Sequence, residues 1–384
     1  MESYDVAVVG LGALGSAAVY HAASRGVKVI GLEQYEFGNV KGASHDTSRI
    51  FRTSNPLPEQ VALSRSALKD WKKLEAQSGQ ELLTTTGGIV FFPKHVSNAQ
   101  TLGDFTKSLD AESMPYELLS AQAVMDRWPQ FYIPPNVDAV YTEDTGILHA
   151  AKSVTAMQFL ARFNGAILKE KTTVKSVLPN EHNHGYLLDT SAGKIRADKV
   201  ILATDAWSNT ILGPLGSEIP LTVMQEQVTY FQPDQEATSG FAPGHFPVWI
   251  WFGDKNFYGF PTYGEPTIKV AQDASGNYMT PETRTFKPSS ELLSELTHFT
   301  GSLIPSKGTP SRTITCQYTI TPDRQLIMGP LSKHPGIILG LGAALGFKYA
   351  PTIGRVLAEL AIDGTTSENI ANFRVPRPVQ ASRL

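Results

Sequence analysis

Asp5-Val6-Ala7-Val8-Val9-Gly10-Leu11-Gly12-Ala13-Leu14-Gly15, read together with Glu33, is the stretch that decides the fold. Residues 5–10 form a short β-branched apolar run ending in glycine, the pattern of a buried parallel strand. Leu14 to Ser24 follows as a helix of small residues, stopped by Gly26. A second apolar run, Val27 to Leu32, ends at Glu33. Strand, glycine turn, helix and strand make a βαβ unit. Gly10 allows the tight turn, Gly12 lets a pyrophosphate approach the backbone, and Gly15 lets helix and strand pack closely. The pyrophosphate sits at the positive helix N-terminus, and Glu33 is placed to accept from a ribose hydroxyl. An ordinary strand–helix turn would leave Glu33 without a purpose. The pattern therefore predicts a dinucleotide, without separating NAD from FAD.

Working outward, Pro58 to Leu74 reads as a helix with Val61, Leu68, Trp71 and Leu74 on one face. Thr84 to Phe92 and Val248 to Tyr263 are strand-like and aromatic-rich. Ser153 to Phe163 reads as a helix and Val200 to Thr204 as a buried strand. The last segment returns to strand–glycine–helix, with Ile337 to Leu341, then Gly342 and Gly346, then a helix from Pro351 through Ile362. The expected fold class is α/β plus α+β, a Rossmann-like nucleotide-binding domain with an interleaved β-rich substrate domain. The first is expected to take residues 1–83, 146–215 and 319–384, the second residues 84–145 and 216–318.

Composition narrows the partners. Hydrophobic residues are 41% of the 384, charged residues 18%, and the net charge is −3, which gives no basic patch for nucleic acid. The longest apolar stretch, Gly336 to Phe347, is too short and glycine-rich to span a membrane. Cys316 is the single cysteine, so no internal disulfide demands an oxidising compartment. The acidic start is unlike a secretory signal. At the other end, Ser382-Arg383-Leu384 is the peroxisomal address Ser-Lys-Leu with one basic residue exchanged, which predicts a peroxisomal import receptor as partner.

Four further motifs bear on chemistry, three of them open to two readings. Gly42-Ala43-Ser44-His45-Asp46-Thr47-Ser48-Arg49-Ile50-Phe51-Arg52 reads as a loop. Its hydroxyls and basic groups either hold phosphates and polarise a flavin ring, or simply face water. Cys316 lies in an alternating strand pattern, where a lone cysteine is ordinarily a small buried hydrophobe. Lys269 interrupts a half-buried strand; it snorkels to water, or it is buried beside a flavin and favours anionic superoxide and peroxide. Gly346-Phe347-Lys348 opens the last helix region, where Lys348 meets an anionic substrate or is a surface lysine.

In this order the pieces resemble the monomeric sarcosine oxidase and N-methyltryptophan oxidase family, with pipecolate oxidases and, more distantly, the fructosyl-amino-acid oxidases (amadoriases). The resemblance runs almost end to end. It rests on the Gly42–Arg52 loop, Phe257-Tyr258-Gly259-Phe260-Pro261, the Lys269 strand, Cys316-Gln317-Tyr318-Thr319 and Gly346-Phe347-Lys348, with Ala203-Thr204-Asp205-Ala206-Trp207 in support. It implies a monomeric FAD-dependent oxidase of the carbon–nitrogen bond of a small amino acid, a secondary amine, giving an imine and hydrogen peroxide. The alternative is a biosynthetic oxidase acting on a larger specialised or glycated (fructosyl) amino acid. No metal is expected.

The resemblance also implies roles. Cys316 carries FAD through a thioether at the flavin 8α position. Arg49 and His45 stand on one face of the flavin and Lys269, implicated in oxygen reduction, on the other. Arg52 and Lys348 clamp the substrate carboxylate, and Tyr258 and Tyr318 line the pocket, Tyr258 also counting among the catalytic residues. The cofactor is expected to touch Gly10, Gly12, Leu14, Gly15 and Glu33, then Ser44, Thr47, Ser48 and Arg49. Further contacts fall to Val174, Ala203 and Trp207, and to Gly346, Phe347 and Lys348. Leu345 stands where the family has an active-site histidine, and Asp273 where a histidine is common, which makes the pocket less polar at one point and adds negative charge at another. Trp249, with Trp251, either adds bulk to the substrate wall or is plain strand core.

Overall fold

The computed structural model describes residues 1–96, 100–180 and 184–375. Ser382-Arg383-Leu384 lies outside the described residues. The strand Glu2–Val9 is central to the first large sheet, parallel to Gly193–Leu202 on one side and to Val29–Leu32 on the other. Ile167–Lys169 extends the sheet beyond Val29–Leu32, and Ile337–Leu341 extends it beyond the carboxyl half of Gly193–Leu202. Val29–Leu32 and Ile337–Leu341 are buried along their whole length, as strands covered on both faces must be.

One cover is a layer of three helices, Ala13–Ala23, Ala150–Phe163 and Ala350–Ile362. The small residues of the first let it lie close to the last: a Cβ on Gly354 would stand 2.3 Å from the Ala17 Cβ. The other face is covered by side chains such as Tyr186, Leu188, Ile211 and Leu212. The expected helices are all present, with ends moved by a few residues; the helix expected from Pro58 runs on to Ser78, where Gly79 closes it in left-handed geometry.

The second large sheet has eight strands in the order Thr309–Ile320, Thr222–Gln232, Ile268–Asp273, Asn256–Phe260, Val248–Phe252, Gly88–Pro93, Val137–Thr142 and Glu117–Ser120. Successive residues point to opposite faces. Trp249, Trp251 and Phe257 pack into an aromatic core with Phe131 and Phe299. Ile250, Phe252, Tyr258 and Phe260 point the other way, into a cavity.

A third sheet of Ser48–Phe51, Gly146–His149 and Leu83–Thr85 corrects two readings. The Gly42–Arg52 segment is not all loop, because its second half pairs with Gly146–His149 and buries Phe51 completely. Thr84 to Phe92 is not one strand; it breaks at Gly87, whose φ of +68° turns the chain from this sheet into the large one.

Candidate active site

A cavity of about 680 Å³ opens at the carboxyl ends of the parallel strands, lined by Gly10, Glu33 and Ala203, and reaches across to the second sheet. Brink positions of this kind are where open α/β sheets bind ligands. Gly10 has φ +87°, and a Cβ there would meet the Ala203 carbonyl at 2.5 Å. A Cβ on Gly12 would meet the Ser44 hydroxyl at 2.9 Å, and one on Gly15 the Gly10 carbonyl at 1.7 Å. Gly12 therefore leaves the cavity open to a ligand, whereas Gly15 is outside the lining and serves the packing of helix on strand. Glu33 is nearly buried; one carboxylate oxygen accepts from the Leu11 N–H at 2.9 Å and the other from Tyr35 at 3.0 Å. Trp207 stands edge-on to Tyr35 in the same region, and Leu14 and Val174 complete this end.

At the other end the charged residues converge. Lys269 is buried, not snorkelling: its ammonium donates to the Asp46 carboxylate at 2.6 Å and to the Ser48 carbonyl at 2.9 Å. Arg49 donates to the carbonyls of Ser48 and Ala43 and lies 5.8 Å from the centre of the Phe347 ring. Burial, then the Arg49 charge, pushes the His45 imidazole down to about 4, so the ring is neutral near pH 7. Cys316 faces the same cavity, and burial pushes its thiol up to about 11 against the pull of Arg49, Lys269 and Arg284.

Lys348 is buried, so the surface-lysine reading fails. Its ammonium donates to the Asn55 side-chain carbonyl at 2.6 Å, and its pKa is held well below the ordinary lysine value by burial and by Arg52. Arg52 donates to the Ser54 carbonyl and lies 5.6 Å from the centre of the Phe105 ring. Two neighbouring cations are thus met only by neutral oxygens in the bonds just described. Tyr258, Tyr318 and Leu345 stand on the walls of the same cavity.

Two expected contacts are corrected. Trp249 is absent from the lining because strand alternation turns its indole into the aromatic core, with no exposed surface. Thr47 is also outside it, its hydroxyl lying 3.2 Å from that of Tyr230. Apart from Gly15, the remaining expected site residues all border the cavity. The charge of Asp273 is compensated, since Arg324 grips its carboxylate through both terminal nitrogens at 2.9 and 3.1 Å. Sequence reading missed Asp46, Asn55, Arg324 and Glu226 as partners. Asp46 lay within the quoted loop; the other three had no local signal.

A family model described as FAD dependent oxidoreductase matches residues 5–360. The chain belongs to the FAD-dependent oxidoreductase family. Within it, the chain is 30% identical to the monomeric sarcosine oxidase of Streptomyces avermitilis, covering 99% of each chain. It is 27% identical to the human peroxisomal sarcosine oxidase, covering 98% of this chain and 96% of the other. Its structure matches that of NikD, an unusual amino acid oxidase essential for nikkomycin biosynthesis, with TM-score 0.85, 26% identity and full coverage of both chains.

The residues present suit FAD. A glycine cradle opens onto a helix N-terminus that has no acidic residue in its first turn. The buried His45 Nε2 has no hydrogen-bond partner among the described residues, and His45, Asp205 and Gln317 border the cavity. This FAD-dependent oxidoreductase has Gly10–Leu14 and Glu33 on one part of the cavity wall and Cys316, Arg49 and Lys269 on another, and these are the residues that would hold the cofactor.

Proposed function

We propose that the protein oxidises the carbon–nitrogen bond of a small amino acid carrying a secondary amine, such as an N-methyl or cyclic amino acid, with oxygen as acceptor. The observation that carries this reading is the pair Arg52 and Lys348, two adjacent cations bonded to neutral oxygens at the far end of a flavin-sized cavity. Such a pair recognises a small anion, and a carboxylate provides two oxygens for it. When bound, FAD would supply the two-electron acceptor for the hydride next to nitrogen and the route by which oxygen is reduced to hydrogen peroxide. The protein's part is to orient and to hold charge. The clamp fixes the carboxylate and so places the amine along the Tyr258, Tyr318 and Leu345 walls. The same cations disfavour an ammonium, which keeps the amine lone pair free. His45 stays neutral, and Lys269 provides a cation on another wall.

Several finer points belong to this reading. Cys316, on the cavity wall, is the proposed attachment point of FAD. The chain acts as a monomer and reaches the peroxisome through Ser382-Arg383-Leu384, where released peroxide is destroyed. The FAD-binding unit follows the first sheet and the substrate unit the second.

A second reading, a biosynthetic oxidase for a larger amine, is favoured by Leu345, Ile250 and Phe252, which make the wall near the clamp apolar. Peroxide release from sarcosine, other N-methyl amino acids, cyclic amino acids, fructosyl amino acids and bulky N-alkyl amino acids, with anaerobic bleaching of the flavin alongside, separates the two. Turnover of the small compounds supports the first reading, and turnover confined to the bulky or glycated ones the second. A flavin that none of them bleaches rejects both.

A further inference from the structure

One charged group of the cavity wall has no part in the reaction described so far. The Asp46 side chain is only 5% exposed, and that of its partner Lys269 only 4%. Their 2.6 Å contact uses one carboxylate oxygen; the other accepts from the Tyr230 hydroxyl at 2.7 Å. Tyr230 is the direct cross-strand neighbour of Lys269, so phenol and ammonium reach one carboxylate from adjacent strands. The remaining two donors of the ammonium go to the Ser48 carbonyl and hydroxyl, at 2.9 and 3.1 Å. Three donors meet three acceptors. Asp46 does this from a left-handed backbone, φ +81°, a conformation uncommon for residues that carry a side chain though one that aspartate enters more readily than most. Its own carbonyl is tied to the Ala151 N–H, at the start of the helix Ala150–Phe163.

We infer that Asp46 is the positioning residue for Lys269: it keeps the buried ammonium charged and seated on Ser48, where oxygen reduction needs a cation. The inference rests on the reading that Lys269 serves the oxygen step. The charged and titratable groups around the ammonium are Asp46, Arg49, Cys316, Tyr230 and His45. Burial pushes Lys269 down to about 8, with Asp46 opposing and Arg49 assisting that fall. Lys269, Tyr230 and Arg49 hold the Asp46 carboxyl down at about 2 against its burial, so it is ionised throughout the working range. With the carboxylate gone, burial and Arg49 act on Lys269 without their main opponent, and its proton leaves at lower pH.

The test compares the wild-type holoenzyme with Asp46→Asn, Asp46→Glu and Lys269→Met. The probe is inorganic sulfite, an anion that adds reversibly to oxidised flavin and binds better beside a cation. Its dissociation constant is read from flavin bleaching between about pH 6 and pH 9, and reoxidation by oxygen is timed after photoreduction, which needs no substrate. Lys269→Met is expected to weaken sulfite and slow reoxidation across the range. Asp46→Asn is expected to approach wild type toward the acid end and to lose both properties with a midpoint lower by roughly one pH unit. Asp46→Glu should restore most of the midpoint. An Asp46→Asn midpoint equal to that of wild type overturns the role of Asp46 while leaving Lys269 intact. Normal sulfite binding and reoxidation in Lys269→Met overturn the earlier reading, and this inference with it. Should Asp46→Asn fail to load FAD, Asp46→Ser removes the same charge in less volume and carries the comparison.

Discussion

Lys348 and Arg52 show how a single residue's surroundings announce its ligand. Asn55 is buried, and its amide donates to the Thr53 carbonyl and the Ser64 hydroxyl, so its own oxygen is turned to Lys348. A neutral acceptor does little to offset the burial of a charge, and a bound carboxylate completes the pairing. Lys348→Met should therefore weaken binding of a carboxylate ligand by about 1.5–3 kcal/mol, roughly 10–150-fold in Kd, by spectral titration of the flavin. The pH dependence follows from the direction of the Lys348 shift. Its pKa is depressed in the free protein and is raised by a bound anion, so above the depressed value binding takes up a proton. Affinity should fall as pH rises through that window, and Lys348→Met should remove that component of the slope. Cys316 has a separate test: Cys316→Ala should release its FAD on acid precipitation, whereas the unmutated protein keeps it. The residue types involved were readable beforehand, because Arg52, Lys348 and Cys316 sit in recognisable local motifs. Their partners were not. Asn55 and Ser54 satisfy the clamp through contacts that no local pattern marks.

At the scale of the element, the βαβ unit is a matter of clearance. The 1.7 Å approach of a hypothetical Gly15 Cβ to the Gly10 carbonyl leaves no room for a methyl group unless helix and strand separate. Gly15→Ala should cost about 1–3 kcal/mol in thermal or denaturant unfolding and should lower FAD content together with stability. These positions were legible because the turn needs its glycines at fixed spacing. The facing of Val248–Phe252 was not. Every residue from Val248 to Phe252 is apolar or aromatic, so the strand offers no polar–apolar contrast from which to choose a face. Only pairing with Gly88–Pro93 and Asn256–Phe260 settles that Trp249 looks into the core and Ile250 into the cavity. Ser48–Phe51 escaped notice for a related reason. Four residues are too few to show a period, and their strand character comes from hydrogen bonds to Gly146–His149.

Across the whole molecule, buried charge is balanced by residues far apart in the chain. Glu226 accepts twice from the Ser275 N–H and is the direct cross-strand neighbour of Cys316. Burial, then Asp273, pushes its carboxyl up to about 8 from an ordinary 4.5. A carboxyl raised on folding contributes stability that is full below its ordinary pKa and is lost as pH climbs through the raised value. The melting temperature of Glu226→Gln should therefore gain on that of wild type between about pH 5 and pH 8 and gain nothing more above about pH 9. A difference that stays constant with pH would mean Glu226 is not the titrating group. The nucleotide-binding fold and most of the residues that line the cavity are legible along the chain, because a βαβ turn, a strand period and a motif depend on neighbours a few bonds away. Tertiary structure alone decided how charges are paired: Asp46 meets Lys269 across 223 positions and Lys348 meets Asn55 across 293. Electrostatic energy depends on distance in space and on burial, and neither can be read from positions along the chain.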